Sequence, residues 1–143
     1  MGFSAKTDYG LVALMELAAA YPSGALMQSG EICRRHGIPE RYLEQLLTDL
    51  RKVGLLTSIR GPRGGFQLTK DPDCITVADV VNVLEGSRHS ERQGDPGDAT
   101  FQVLTALEQK LEQAREALLA STSLAQLLRE RDALRQPQPM FYI

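Results

Sequence analysis

Apolar residues recur at helical spacing along most of this chain and give way to short extended runs only near its middle. Within residues 7–21, Tyr9, Leu11, Val12, Leu14, Met15, Leu17 and Ala18 predict a largely buried helix that starts at Thr7 and Asp8 and stops at Pro22-Ser23-Gly24. Residues 29–36 predict a short helix with Ser29 as N-cap and Gly37 as its stop. The best amphipathic pattern covers residues 39–53, where Leu43, Leu46, Leu47, Leu50 and Val53 make one stripe. Pro39 and Glu40 suit its first turn, and Gly54 ends it. Leu55–Arg60 and Phe66–Thr69 read as two strands of a hairpin around a Gly/Pro turn. Thr76–Glu85 is a helix with Thr76 and Asp79 as a capping pair and Gly86 as a stop. After a polar loop at 87–98 come a long helix, Ala99–Ala120, and a short one, Ser123–Leu134. The expected architecture is mostly α with a small β-hairpin wing. It is a winged helix-turn-helix over residues 1–86, a loop at 87–98, a helical dimerisation element at 99–135 and a tail at 136–143.

Composition narrows the class. A chain of 143 residues can bury a core without cross-links, and two scattered cysteines, Cys33 and Cys74, point to a reducing cytoplasm. No run is long and apolar enough to suggest a membrane span. The apolar stretch Tyr9–Tyr21 is interrupted by Glu16 and lacks a basic leader, so it reads as a core helix rather than a signal peptide. The net charge of −2 argues against nucleic acid as a partner until its distribution is considered. Residues 34–70 hold eight Lys/Arg against three acids, whereas residues 71–143 hold seven against twelve. A basic block beside an acidic one suits a DNA-facing half and a solvent-facing half. The plainer reading is chance clustering on a solvated surface.

Helix 39–53 can enter a major groove if its leucine face is anchored. Arg41, Glu44, Gln45 and Thr48 then lie at helical spacing on the free face. Arg can donate twice to guanine, Gln can pair with adenine and Glu can accept from cytosine. Arg51 and Lys52 suit phosphates, which position rather than specify. At the hairpin tip, Gly61, Gly64 and Gly65, around Pro62, permit close backbone approach, and Arg60 and Arg63 can reach a narrow minor groove. Leu104, Leu107, Leu111, Ala114 and Leu118 alternate three and four apart, a heptad-like seam that suits pairing with a second copy or, alternatively, an internal core.

The run IPERYLEQLLTDLRKVGLLTSIRGPRGGFQLTKDP, Ile38 to Pro72, resembles the Rrf family of bacterial winged-helix regulators, of the IscR, NsrR and CymR type. TDYGLVALMELA before it and ITVADVVNVLEG after it fit the same pattern. The resemblance implies a homodimer on a partly palindromic double-stranded DNA operator; a repressor is the expected sign of regulation, with an activator left open. It places Tyr42, Leu43, Glu44 and Gln45 in the major groove and the wing, Arg60 to Gly65, in the minor groove. Many members hold an iron–sulfur cluster through three cysteines in the loop before the dimer helix. Here that loop, SRHSERQGDPGDATF, has none. His89, Glu91, Asp95 and Asp98 are too weak a set to replace them, so no cluster, metal or other cofactor is expected. The effector is then a metabolite, a partner protein or a thiol modification. Cys33 reads as a small buried hydrophobe or as a redox thiol activated by Arg34 and Arg35; Cys74 is a second thiol candidate. Cys33, Cys74 and His36 match no zinc spacing. An adaptor that uses the winged helix without DNA is the competing class. No nucleophile–base pair, carboxylate pair or phosphate loop points to an enzyme.

Overall fold

The computed structural model describes residues 2–85 and 93–136. The Gly86 stop, His89, Glu91 and the apolar end of the tail lie outside them. Helix α1 runs Ala5–Ala20, two residues earlier than the pattern predicted, because the Ser4 hydroxyl accepts the Thr7 N–H at 3.3 Å. That side chain satisfies one of the amides a helix start leaves orphaned, and Thr7 is buried inside the helix rather than capping it.

Helix α2, Ser29–His36, is preceded by Gln28 as N-cap, not Ser29. Gln28 makes no cap bond; its Nε2 donates instead to the Pro62 carbonyl at 3.1 Å. Gly37 closes the helix at φ 67°, and the Ile38 N–H returns to the Cys33 carbonyl. Helix α3, Glu40–Lys52, buries Leu43, Leu46, Leu47 and Leu50. Val53 leaves the predicted stripe and is 54% exposed. It is the C-cap, with φ −91° and ψ 3°, so its backbone no longer follows the helical rotation.

Strands β1 (Leu56–Ile59) and β2 (Gly65–Leu68) pair antiparallel, Leu56 opposite Leu68 and Ile59 opposite Gly65. Met27 and Phe66 exchange two backbone bonds, 3.0 and 2.8 Å, which pin the hairpin to the chain entering α2. Gly65 sits at φ 152°, and a Cβ there would come within 2.7 Å of the Met27 carbonyl.

Helix α4, Val77–Leu84, starts with the Thr76–Asp79 capping box. The long helix α5, Ala99–Ser121, starts at Asp98, and α6, Leu124–Arg135, starts at Ser123. The chain returns to the body beside α4: Val77 N–H bonds the Thr122 carbonyl at 2.8 Å and Leu124 N–H the Ile75 carbonyl at 2.9 Å. Leu119 and Leu124 join one core with Leu14, Leu17, Ile32, Leu46 and Val80. α1 packs against α3, α4 and α6 at its centre.

Among the described residues, one charged side chain enters that core. Glu16 of α1 is 4% exposed. Its carboxylate accepts from Arg35 Nη1 at 3.0 Å and Arg131 Nη1 at 3.2 Å, and lies 2.9 Å from His36 Nε2. Burial opposes its ionisation. The His36 hydrogen bond and the charges of Arg131, His36 and Arg35 outweigh that and hold the carboxyl below its ordinary value. The cluster ties α1 to both α2 and α6.

Two outcomes follow for stability. Because the folded Glu16 carboxyl titrates lower than the unfolded one, its stabilisation is present above the unfolded value and fades as pH falls through the folded value. Glu16→Gln should cost about 2 kcal/mol at neutral pH, less than a fully enclosed pair because Arg35 reaches solvent. That deficit should hold from about pH 7 to about pH 5 and shrink as denaturation is repeated below the ordinary carboxyl value of 4.5; a deficit that stays constant through that acidic range contradicts the ionic account. Gly65→Ala should cost about 1–3 kcal/mol by forcing the wing off Met27, and a denaturant midpoint equal to wild type would show the contact to be unimportant.

Candidate nucleic-acid interface

Opposite its leucine stripe, α3 turns a polar ridge to solvent. Arg41, Glu44, Gln45 and Lys52 are exposed and Thr48 is half-buried, all clear of the core. The Thr48 hydroxyl donates to the Glu44 carbonyl at 2.9 Å, so its proton is committed within the helix. Gln45 Nε2 donates to Asp49 Oδ1 at 3.2 Å, and Asp49 Oδ2 lies 3.5 Å from Lys6 Nζ on α1. Tyr42, 44% exposed, meets the Tyr9 ring edge-on with centroids 5.6 Å apart. The start of α1 thus braces one flank of the ridge. The wing braces the other, where Arg51 Nη1 donates to Ser58 Oγ at 3.0 Å. Arg51 was expected as a phosphate contact; in the protein it also holds a wing strand.

At the wing tip, the Gly64 N–H bonds the Gly61 carbonyl at 2.9 Å and closes a tight turn. Arg60, Gly61, Pro62 and Arg63 are exposed around it. Gly64 is buried, and a Cβ there would run into the Ile59 carbonyl. Gly61 takes φ 115°, a conformation that favours glycine. Between the start of α2, α3 and the wing lies an open cleft of about 420 Å³ bearing Arg34, Arg51 and Arg60 against a single acid, Glu40. Three cations of the basic block, Arg34, Arg51 and Arg60, thereby meet between the ridge and the wing, whereas Arg35 turns to Glu16.

On α5, Leu104, Leu107, Leu111, Ala114 and Leu118 are all exposed in the single chain, Leu107 at 61%. The helix meets its own chain's core through Leu119 instead.

Cys33 is buried in α2, and Cys74 is exposed in the single-turn helix Pro72–Cys74. Burial pushes the Cys33 thiol up, Glu40 and Glu44 add to the effect, and Arg34 does not offset them. Of the two readings of Cys33, its burial favours the small buried hydrophobe over the thiol activated by Arg34 and Arg35; Arg35 is engaged with Glu16 and Glu31. Among the described residues no group of three or more His, Cys, Asp or Glu could hold a metal ion. Two thiols on separate elements do not fit the donor set of an iron–sulfur cluster.

Lys6, Gln28 and Asp49 support the ridge and wing but do not stand out in the sequence. Only the Gln45–Asp49 pair had a local signal there, its spacing of four on a helix.

The family model of Rrf2, described as an iron-dependent transcriptional regulator, matches residues 3–130. The chain is similar to the HTH-type transcriptional regulator CymR of Bacillus subtilis, 43% identical over 86 residues, covering 60% of this chain and 62% of that protein. It is also similar to the HTH-type transcriptional regulator IscR of Cereibacter sphaeroides, 37% identical over 95 residues, covering 66% of this chain and 61% of that one. The matched stretch thus spans about three-fifths of these two relatives. The solved structure of T. potens IscR superimposes with a TM-score of 0.79 at 32% identity, over 97% of this chain and 94% of that one. Among the described residues no helix is long and apolar enough to cross a membrane. The anchored helix, the braced wing and these likenesses agree: the chain belongs to the Rrf2 family of transcriptional regulators, a family of regulators and not of enzymes.

Proposed function

We propose that two copies of this chain bind a partly palindromic double-stranded DNA operator and repress transcription from it, without an iron–sulfur cluster. The observation that carries the reading is the polar ridge of α3, backed by four buried leucines and set beside an arginine-bearing glycine turn. In this reading Arg41, Glu44, Gln45 and Thr48 meet base edges in the major groove, with Tyr42 beside them. Lys52 and Arg51 face phosphates, and Arg60 and Arg63 enter the adjacent minor groove on the turn from Gly61 to Gly65. The exposed seam of Leu104, Leu107, Leu111, Ala114 and Leu118 supports pairing of two chains, since such a row left in water is costly. The cysteine count and placement support the clusterless reading. The effector is then a small molecule or a protein. Thiol sensing is favoured at Cys74, which is exposed, over Cys33, which is buried and resists ionisation.

The test is selection of bound sequences from a random duplex pool. Wild type should enrich a two-fold symmetric site, with affinity that falls steeply with salt. Glu44→Ala should change the base preferred at one position per half-site while total affinity stays within about threefold, because a carboxylate near phosphates acts by rejecting wrong bases. An unchanged preferred site would remove Glu44 from base reading. Leu111→Asp should convert the dimer to monomer at about 10 μM and weaken operator binding with it. If the sedimentation coefficient stayed at the wild-type value, the seam would not be the pairing surface.

A further inference from the structure

Asp49 and Lys6 have no part in the reading just given, yet they hold one of its side chains. We infer that Asp49 is a positioning residue that fixes the amide of Gln45 so that it selects adenine. The inference rests on Gln45 meeting a base edge, as proposed above. An ionised carboxylate has no proton to give, so its contact with Gln45 has to come from the amide nitrogen. That bond consumes one of the two amide protons. Oε1 and the second N–H remain, an acceptor beside a donor. Adenine presents the complement, its N6 amine beside N7. Guanine presents two acceptors, O6 and N7, and would set one of them against Oε1. A free glutamine can turn its amide over and give its protons to guanine. Gln45 cannot do so without breaking the bond to Asp49. The second carboxylate oxygen faces Lys6 at 3.5 Å, and the Asp49 side chain keeps 26% of its accessible surface. An ion pair this exposed adds little stability by itself. Its effect is to orient the carboxylate from a neighbouring helix and to offset its repulsion of phosphate.

The experiment uses the full chain. Binding-site selection from random duplex DNA is run for wild type, Gln45→Ala, Asp49→Ala and Asp49→Asn. The best site and its adenine-to-guanine version are then compared by titration. Wild type should prefer adenine at one position per half-site. Asp49→Ala should reduce that adenine-over-guanine preference about fivefold while leaving the other positions alone. It should also tighten binding to random DNA, because a negative charge near phosphate is gone. Asp49→Asn keeps a carbonyl acceptor and should retain part of the preference. A purely structural Asp49 would instead weaken binding to every sequence alike and lower the thermal midpoint, and that result overturns the inference. If Gln45→Ala changes the position but Asp49→Ala keeps the wild-type ratio, positioning by Asp49 is wrong while base reading by Gln45 stands. If Gln45→Ala leaves the selected site unchanged, base reading by Gln45 fails, and the inference fails with it.

Discussion

The protein depends on how completely one side of α3 is buried. Leu43, Leu46, Leu47 and Leu50 are sealed against α1, α2 and α4, so the helix cannot roll without exposing them to water. Full burial of one leucine contributes about 1.5–3 kcal/mol, and four on one face fix the rotation of a helix only 13 residues long. Everything on the opposite side inherits that rotation. Polar side chains can be presented at a defined height and angle only because the apolar ones behind them have no second place to go.

The wing extends the same logic with backbone instead of side chains. It is a two-stranded hairpin, too small to be stable alone. It is held by the Met27–Phe66 bridge, by Gln28 on the Pro62 carbonyl and by Arg51 on Ser58. These contacts come from the chain entering α2 and from α3 itself. The ridge and the finger are therefore parts of one rigid surface rather than two features joined by a loop.

Much of this was legible before any coordinates. The leucine period marked α3, the Gly/Pro cluster marked the turn, and Thr76 with Asp79 marked the start of α4. In each case the cause and the effect lie within a few residues. The resemblance of Ile38 to Pro72 to a known family assembled those pieces into an order. Some of what escaped depends on partners distant in sequence, and some on where a helix begins or ends. Glu16 stood out only as a break in an apolar run, because its third partner, Arg131, lies 115 residues away. Gln28 looked like an ordinary loop residue, because its carbonyl partner is on the hairpin. Val53 continued the apolar spacing, but the helix had already ended. Ser4 outcompeted Thr7 as a cap because both suit the role and only the fold decides between them.

The strand-like stitch between Thr76 and Ser123 has a consequence for divergence. It is made of main-chain bonds, so the place where the long helix rejoins the body depends on few of that helix's side chains, Leu119 foremost. Its outward row can change identity, charge or bulk without disturbing the polar ridge or the wing. With pairing on that row and DNA on the ridge, as proposed, mating preference and sequence preference can drift separately. A duplicated copy can stop recognising its parent before it forgets the parent's binding sites.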